Sequence, residues 1–146
     1  MKPEKLVFIK YLDPEMPKIK QLECGDWIDL CCVEDVDMKQ GEFKLIKLGV
    51  VMELPSGYEA LLLPRSSTFK KYGILTANSM GVIDNSYCGP EDEWMLAAYA
   101  TRDTHIDKYT RIAQFRILQN QPAVSVIEVE EVGGKSRGGF GSTGEK

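Results

Sequence analysis

Short runs of aliphatic, aromatic and β-branched residues recur along this chain, and nearly every run is closed by Gly, Pro, Asn or Asp. That punctuation is the strongest constraint on the fold, because no segment carries an amphipathic helical period of ordinary length. Lys5–Leu12 (KLVFIKYL) stops at Asp13-Pro14. Trp27–Val33 (WIDLCCV) follows, then Phe43–Glu53 (FKLIKLGVVME), which ends at the turn sequence Leu54-Pro55-Ser56-Gly57. Tyr58–Leu63, Gly81–Ile83, Trp94–Thr101, Thr110–Leu118 and Ala123–Glu130 read as further strands. Only Ser66–Tyr72 (SSTFKKY) reads as helix, with Ser66 or Ser67 as N-cap. The expected fold class is all-β: a jelly-roll-like β-barrel or sandwich with one short helix and a flexible C-terminal arm. A single β domain is expected over 1–132, with a glycine-rich arm over 133–146.

The chain has 146 residues, enough for one domain with a sizeable core. Its net charge of −4 provides no global basic field, so neither nucleic acid nor an anionic membrane is an expected partner. A phosphate ligand must therefore be held by a few local groups. No apolar run approaches the roughly 20 residues of a membrane span. Met1–Leu12 lacks a signal peptide's apolar block, and a cytoplasmic location is expected. Cys24, Cys31, Cys32 and Cys88 form no Cys-x-x-Cys, and His105 is the only histidine. A Cys/His zinc site and a His-based hydrolase are both disfavoured. Reduced thiols in the core and a surface or strand histidine are expected instead.

Four segments carry residues suited to chemistry. In Leu63-Pro64-Arg65-Ser66-Ser67-Thr68 a strand ends at proline and hydroxyls open a helix. Helix-start N–H groups with an arginine suit a phosphate, and a capped surface helix fits the same pattern. In Asn78–Gly89, Asp84 follows the apolar pair Val82-Ile83 at the start of a turn, read as part of a β-hairpin. A carboxylate there can activate water or simply satisfy the turn backbone. In Thr110–Leu118, Ile112, Phe115 or Ile117 point inward, the alternation slips, and Gln114 is a polar exception. Finally, six of the last fourteen residues are glycine, interleaved with Arg137, Phe140, Ser142 and Thr143. Glycine lets backbone N–H groups approach phosphates, and Phe140 offers a face for a base; a frayed terminus has similar composition.

Taken in order, these segments resemble the five motifs of the trimeric dUTP pyrophosphatase (dUTPase) family. The counterparts are Gly25-Asp26-Trp27-Ile28-Asp29-Leu30, Pro64-Arg65-Ser66-Ser67, Gly81-Val82-Ile83-Asp84-Asn85-Ser86-Tyr87 with Asn78 just before it, Arg111-Ile112-Ala113-Gln114, and Arg137-Gly138-Gly139-Phe140-Gly141-Ser142-Thr143-Gly144. Order, spacing and length together carry the resemblance, which runs from about Cys24 to the end.

The resemblance implies hydrolysis of dUTP to dUMP and pyrophosphate, keeping uracil out of DNA. It implies a homotrimer whose C-terminal arms are exchanged between subunits, each arm closing over a site at a subunit interface. Asp84 would activate the water that attacks the α-phosphorus, with Arg65 and Gln114 completing the catalytic set. Ser66 and Ser67 would help bind the phosphates. Asn78, Gly81 and Ile83 would read uracil, and Tyr87 would pack against deoxyribose and reject UTP. Phe140 and Gly141 would cover the base, while Arg137, Ser142 and Thr143 would close on the β- and γ-phosphates. Mg2+ would be held through substrate oxygens and water, with no direct protein ligand and at most an indirect role for Asp29.

Three features depart from the family pattern. Ser86 stands where an aspartate is usual, the first motif is loose at Trp27-Ile28, and Pro90-Glu91-Asp92-Glu93-Trp94 is an acidic insertion, read as a solvated turn. Two other functions stay open: a phage-type nucleotide-sensing regulator of the same fold and, with less support, a dCTP deaminase.

Overall fold

The computed structural model describes residues 4–20 and 26–146; Gly25 of the first motif and the preceding Cys24 lie outside them. The elements are β1 (Phe8–Tyr11), β2 (Ile28–Cys31), β3 (Val36–Met38), β4 (Phe43–Lys47), β5 (Val50–Glu53), β6 (Tyr58–Pro64), α1 (Thr68–Tyr72), β7 (Ile74–Thr76), β8 (Gly81–Ile83), β9 (Met95–Ala100), β10 (Thr104–Ile106) and β11 (Arg111–Gln119). They form a four-stranded sheet β2-β11-β6-β8, a three-stranded sheet β4-β9-β7, and the pairs β1-β5 and β3-β10. Each pairing is antiparallel. The expected all-β, jelly-roll-like architecture with one short helix is present, as open sheets around a common core rather than a closed barrel.

The core is aliphatic with an aromatic centre. Trp94 is completely buried, and its ring meets Phe115 edge-on at 5.1 Å between centroids. Such a pair contributes about 0.5–1.5 kcal/mol beyond its buried area. On β6 and β9, alternate residues enter the core: Ala60 and Leu62 from β6, and Leu96, Ala98 and Ala100 from β9.

Three local features separate the expected strands from the observed ones. The run Phe43–Glu53 divides into β4 and β5 because Gly49 takes a φ of +71°, a backbone region natural only to glycine. Its missing Cβ also leaves room for Val33 and Met16. In β11 the slipped alternation is a bulge: the pairing with β2 shifts between Arg111 and Ala113, so Ile112 and Ala113 are both fully buried. The expected strand Ala123–Glu130 is not formed within the single chain. The last strand ends at Gln119, every residue from Gln119 to Lys146 is exposed, and Val126 and Ile127 remain 97% and 77% exposed. A strand needs a paired edge, and this segment has none in its own chain. The short strands β3, β7 and β10 are additional to those expected from sequence. Among the described residues, no helix is long and apolar enough to cross a membrane.

Candidate active site

β6 ends at Pro64, which has no N–H to continue the ladder. The chain then turns over the β11 bulge. The Ile112 carbonyl accepts from the Thr68 hydroxyl at 2.7 Å and from the Arg65 N–H at 3.3 Å. The Arg65 N–H also donates to Thr68 Oγ1 at 3.1 Å, and Thr68 is 1% exposed. A buried threonine thus anchors the Pro64–Ser67 motif. Ser67 occupies the N-cap position of α1 but forms no side-chain cap, contrary to the expected capping role. Its backbone is itself helical, so the hydroxyl is not aimed at the following N–H groups. Ser66 is exposed beside it.

Asp29 lies opposite Gln114 in the β2–β11 register. Its Oδ1 is 3.2 Å from Arg65 Nε, and its Oδ2 is 3.2 Å from Arg111 Nη1. Arg65 Nη1 donates to the Arg111 carbonyl, and Gln114 Nε2 donates to the Pro64 carbonyl at 3.2 Å. One carboxylate therefore orders two guanidinium groups beside the hydroxyls and the amide, an arrangement suited to a phosphate chain. Arg111 belongs to the fourth motif, but its partnership with Asp29 depends on strand register and is not legible from the motif.

The second group lies beyond β8. The expected hairpin around Asn78–Tyr87 is instead a crossover: β7 pairs with β9, whereas β8 pairs with β6 in the other sheet. Ser79, at φ +62°, redirects the backbone between them. After β8, the Tyr87 N–H donates to the Asp84 carbonyl and closes a turn. Asn85 Nδ2 ties that turn to the Pro55 and Tyr58 carbonyls, each at 2.9 Å. The exposed Asp84 carboxylate accepts twice on Oδ1, from the Ser86 hydroxyl at 2.6 Å and the Ser86 N–H at 2.8 Å. These bonds, the hydroxyl first, hold its carboxyl below the usual carboxylate value.

A cleft of about 390 Å³ opens here, lined by Asn78, Gly81, Ile83, Asp84, Tyr87 and Glu93 among others. Gly81 packs against Leu62, where an added Cβ would lie 3.0 Å from the Leu62 Cβ. The Tyr87 hydroxyl donates to the Glu93 carbonyl at 2.9 Å, and burial, with Asp92 and Glu93, pushes its phenol up. The acidic insertion is consequently not a solvated turn throughout. Glu93 accepts from the Gly49 N–H at 2.9 Å, Asp92 accepts from the Gly89 N–H, and Trp94 enters the core. Charge pattern alone conceals this, because Glu93 serves a backbone donor far away in sequence.

The two groups do not converge within the single chain. Ile83 pairs with Ala60 near the start of β6, and Arg65 follows its end. At roughly 3.3 Å per residue, that register puts Asp84 and Arg65 about 15–20 Å apart along the strand. The cleft takes no lining from Arg65, Ser66 or Gln114. Arg137, Phe140, Gly141, Ser142 and Thr143 also stand apart from both, all exposed on the arm. There Gly138, Phe140, Gly141 and Gly144 have positive φ.

Cys31 and Cys32 are buried free thiols pushed up by that burial, while Cys88 is an exposed thiol. His105 is an exposed residue of β10, bonded to Asp37 and Asp107.

Residues 27–144 match the dUTPase family model. The chain belongs to the dUTPase family. It is 58% identical over 138 residues to the SPbeta prophage-derived deoxyuridine 5'-triphosphate nucleotidohydrolase YosS of Bacillus subtilis (strain 168), covering 94% of this chain and 97% of that one. A Nautilia profundicola deoxyuridine 5'-triphosphate nucleotidohydrolase is 41% identical over 141 residues, covering 94% and 97%. The fold is also that of solved dUTPases. The Staphylococcus bacteriophage 80alpha dUTPase with dUPNHPP superposes with a TM-score of 0.82 at 22% identity, over 95% of this chain and 98% of that one. A mutant dUTPase from phage phi11 of S. aureus, described with a coordinated structural Mg(II) ion, gives 0.74 at 18% identity, over 86% and 97%.

Proposed function

We propose that this dUTPase-family protein hydrolyses dUTP to dUMP and pyrophosphate by attack of water on the α-phosphorus. The observation that carries the reading is the Asp84 carboxylate at the edge of a cleft lined by Asn78, Gly81, Ile83 and Tyr87. Asp84 is ionised at neutral pH and can orient a water and accept its proton. As a weak base it depends on positioning for much of its effect. Uracil enters the cleft against Asn78, Gly81 and Ile83, and the Tyr87 ring packs on deoxyribose, leaving no space for a 2′-hydroxyl. Arg65, Ser66, Ser67 and Gln114 bind the phosphate chain and neutralise charge as it redistributes.

The separation of Asp84 from Arg65 along β6 supports a site completed between subunits of a homotrimer. The exposed apolar residues Val124–Val132 support an arm that leaves its own subunit. On a neighbour, Phe140 and Gly141 cover the base, and Arg137, Ser142 and Thr143 close on the terminal phosphates, excluding water when substrate is bound.

The donor set fits a magnesium ion carried on the triphosphate. Asp29 is the carboxylate of the phosphate-binding cluster, and both of its oxygens are already held by Arg65 and Arg111. Asp29 would reach such an ion only through water. When bound, Mg2+ supplies charge neutralisation on phosphate oxygens. Buried free thiols at Cys31 and Cys32 support a reducing, cytoplasmic setting.

The test is pyrophosphate release from dUTP with Mg2+, run beside dCTP, dTTP and UTP. Release from dUTP alone supports the reading. Release from UTP at a similar rate removes the Tyr87 assignment, and no release from dUTP removes the activity.

A further inference from the structure

The Asp84 turn carries a serine two residues after the carboxylate, and that serine bonds back to it. An aspartate at position 86 would add a second negative carboxylate beside Asp84 and would donate no side-chain hydrogen bond. Serine donates one, and here it does so to a single oxygen of Asp84. The neighbouring N–H donates to that same oxygen. No described residue donates to Oδ2. The terminal torsion of a carboxylate is otherwise broad and nearly two-fold, so its oxygens exchange readily. Two donors on one oxygen remove that freedom.

We propose that Ser86 is a positioning residue for water activation: it clamps Asp84 Oδ1 and leaves Oδ2 as the oxygen that receives the proton of the attacking water. The inference rests on the assignment of Asp84 as base. The turn is suited to the task because it is held from both sides. Asn85 fastens it to the Pro55 and Tyr58 carbonyls, and the Tyr87 N–H closes it onto the Asp84 carbonyl. The titratable groups facing the same cleft are Tyr87 and Glu93, each already engaged: the Tyr87 hydroxyl with the Glu93 carbonyl, the Glu93 carboxylate with the Gly49 N–H. Glu59 is the next residue of β6 beyond the Ala60–Ile83 pair. Asp92 lies in the insertion, bonded to the Gly89 N–H. The groups that lower the Asp84 carboxyl are the hydroxyl and N–H of Ser86.

The experiment uses the full-length chain and the variants Ser86→Ala, Ser86→Thr and Asp84→Asn, with kcat and KM for dUTP measured across pH. Ser86→Ala is expected to lower kcat by about tenfold, with KM changed less than about twofold, because a positioning effect appears in the chemical step. The acid limb of kcat moves to higher pH, since a lost donor raises the carboxyl. Ser86→Thr, which keeps the hydroxyl, restores both. A carbon-detected NMR titration of Asp84 gives a readout independent of turnover, and its midpoint rises in Ser86→Ala. An unchanged midpoint and an unchanged kcat limb in Ser86→Ala, with Asp84→Asn inactive, overturn the clamp alone. An active Asp84→Asn overturns the assignment of the base itself.

Discussion

Asp29 stands between Arg65 and Arg111, with one carboxylate oxygen 3.2 Å from each guanidinium. Its side chain is only 16% exposed, and it pairs in register with Gln114. One acidic residue therefore fixes the orientation of two basic side chains, which the proposed mechanism offers to the triphosphate. Removing it leaves two mutually repelling cations with no common anchor. Asp29→Ala is expected to raise KM for dUTP by about tenfold, the scale of one lost charge-assisted anchor. Steady-state kinetics beside a thermal melt separate this from unfolding. An unchanged KM removes Asp29 from the binding machinery.

Asp84→Asn keeps the shape of the side chain and removes its basicity. It is expected to bind a non-hydrolysable dUTP analogue as the parent does, while kcat falls by about 10²–10⁴-fold. Calorimetry and single-turnover hydrolysis check the two halves. Near-normal turnover would exclude Asp84 as the base.

Truncation before Gly133 is expected to leave a folded protein with little activity, because every residue removed is exposed and core packing is untouched. A complementation assay tests arm exchange. Inactive full-length Asp84→Asn, unfolded and refolded together with the truncated chain, should regain activity, since a mixed assembly of the proposed trimer would place an intact arm over an intact Asp84. No recovery would mean that the arm does not serve a neighbour.

Gly49→Ala is expected to be strongly destabilising. Its φ of +71° alone costs a residue with a Cβ about 1–3 kcal/mol, and that Cβ would meet Val33 and Met16. A urea titration should show a lower midpoint with an unchanged slope. A variant as stable as the parent would mean that the β4–β5 break has another cause.

His105 links stability to pH through Asp37 and Asp107. Hydrogen bonds that its protonated ring donates to Asp37 first, then to Asp107, raise it above its ordinary value of 6.5. A raised histidine contributes stability that is fully present below 6.5 and is lost as pH rises through the folded value. Denaturation midpoints between roughly pH 5 and 9 should therefore show a decline toward high pH that His105→Gln flattens. Equal pH dependence in both proteins would mean that the triad is unlinked to folding.

The sequence by itself determined the all-β class, the single short helix and the order of the five motifs, because alternation, turn residues and glycine act locally. It also exposed the slipped parity in β11 without revealing its purpose. Only the tertiary structure decided that the slip is a bulge whose carbonyl at Ile112 receives Thr68 and the Arg65 backbone. It likewise decided that Arg111 shares Asp29 with Arg65, that Asn78–Tyr87 crosses between sheets, and that Glu93 accepts from the Gly49 N–H. Each of these joins residues distant in sequence or depends on which strand lies beside which. Ala123–Glu130 shows the complementary limit. Its residues favour a strand, but a strand forms only where it is hydrogen-bonded to a partner, and within the single chain this segment pairs with none.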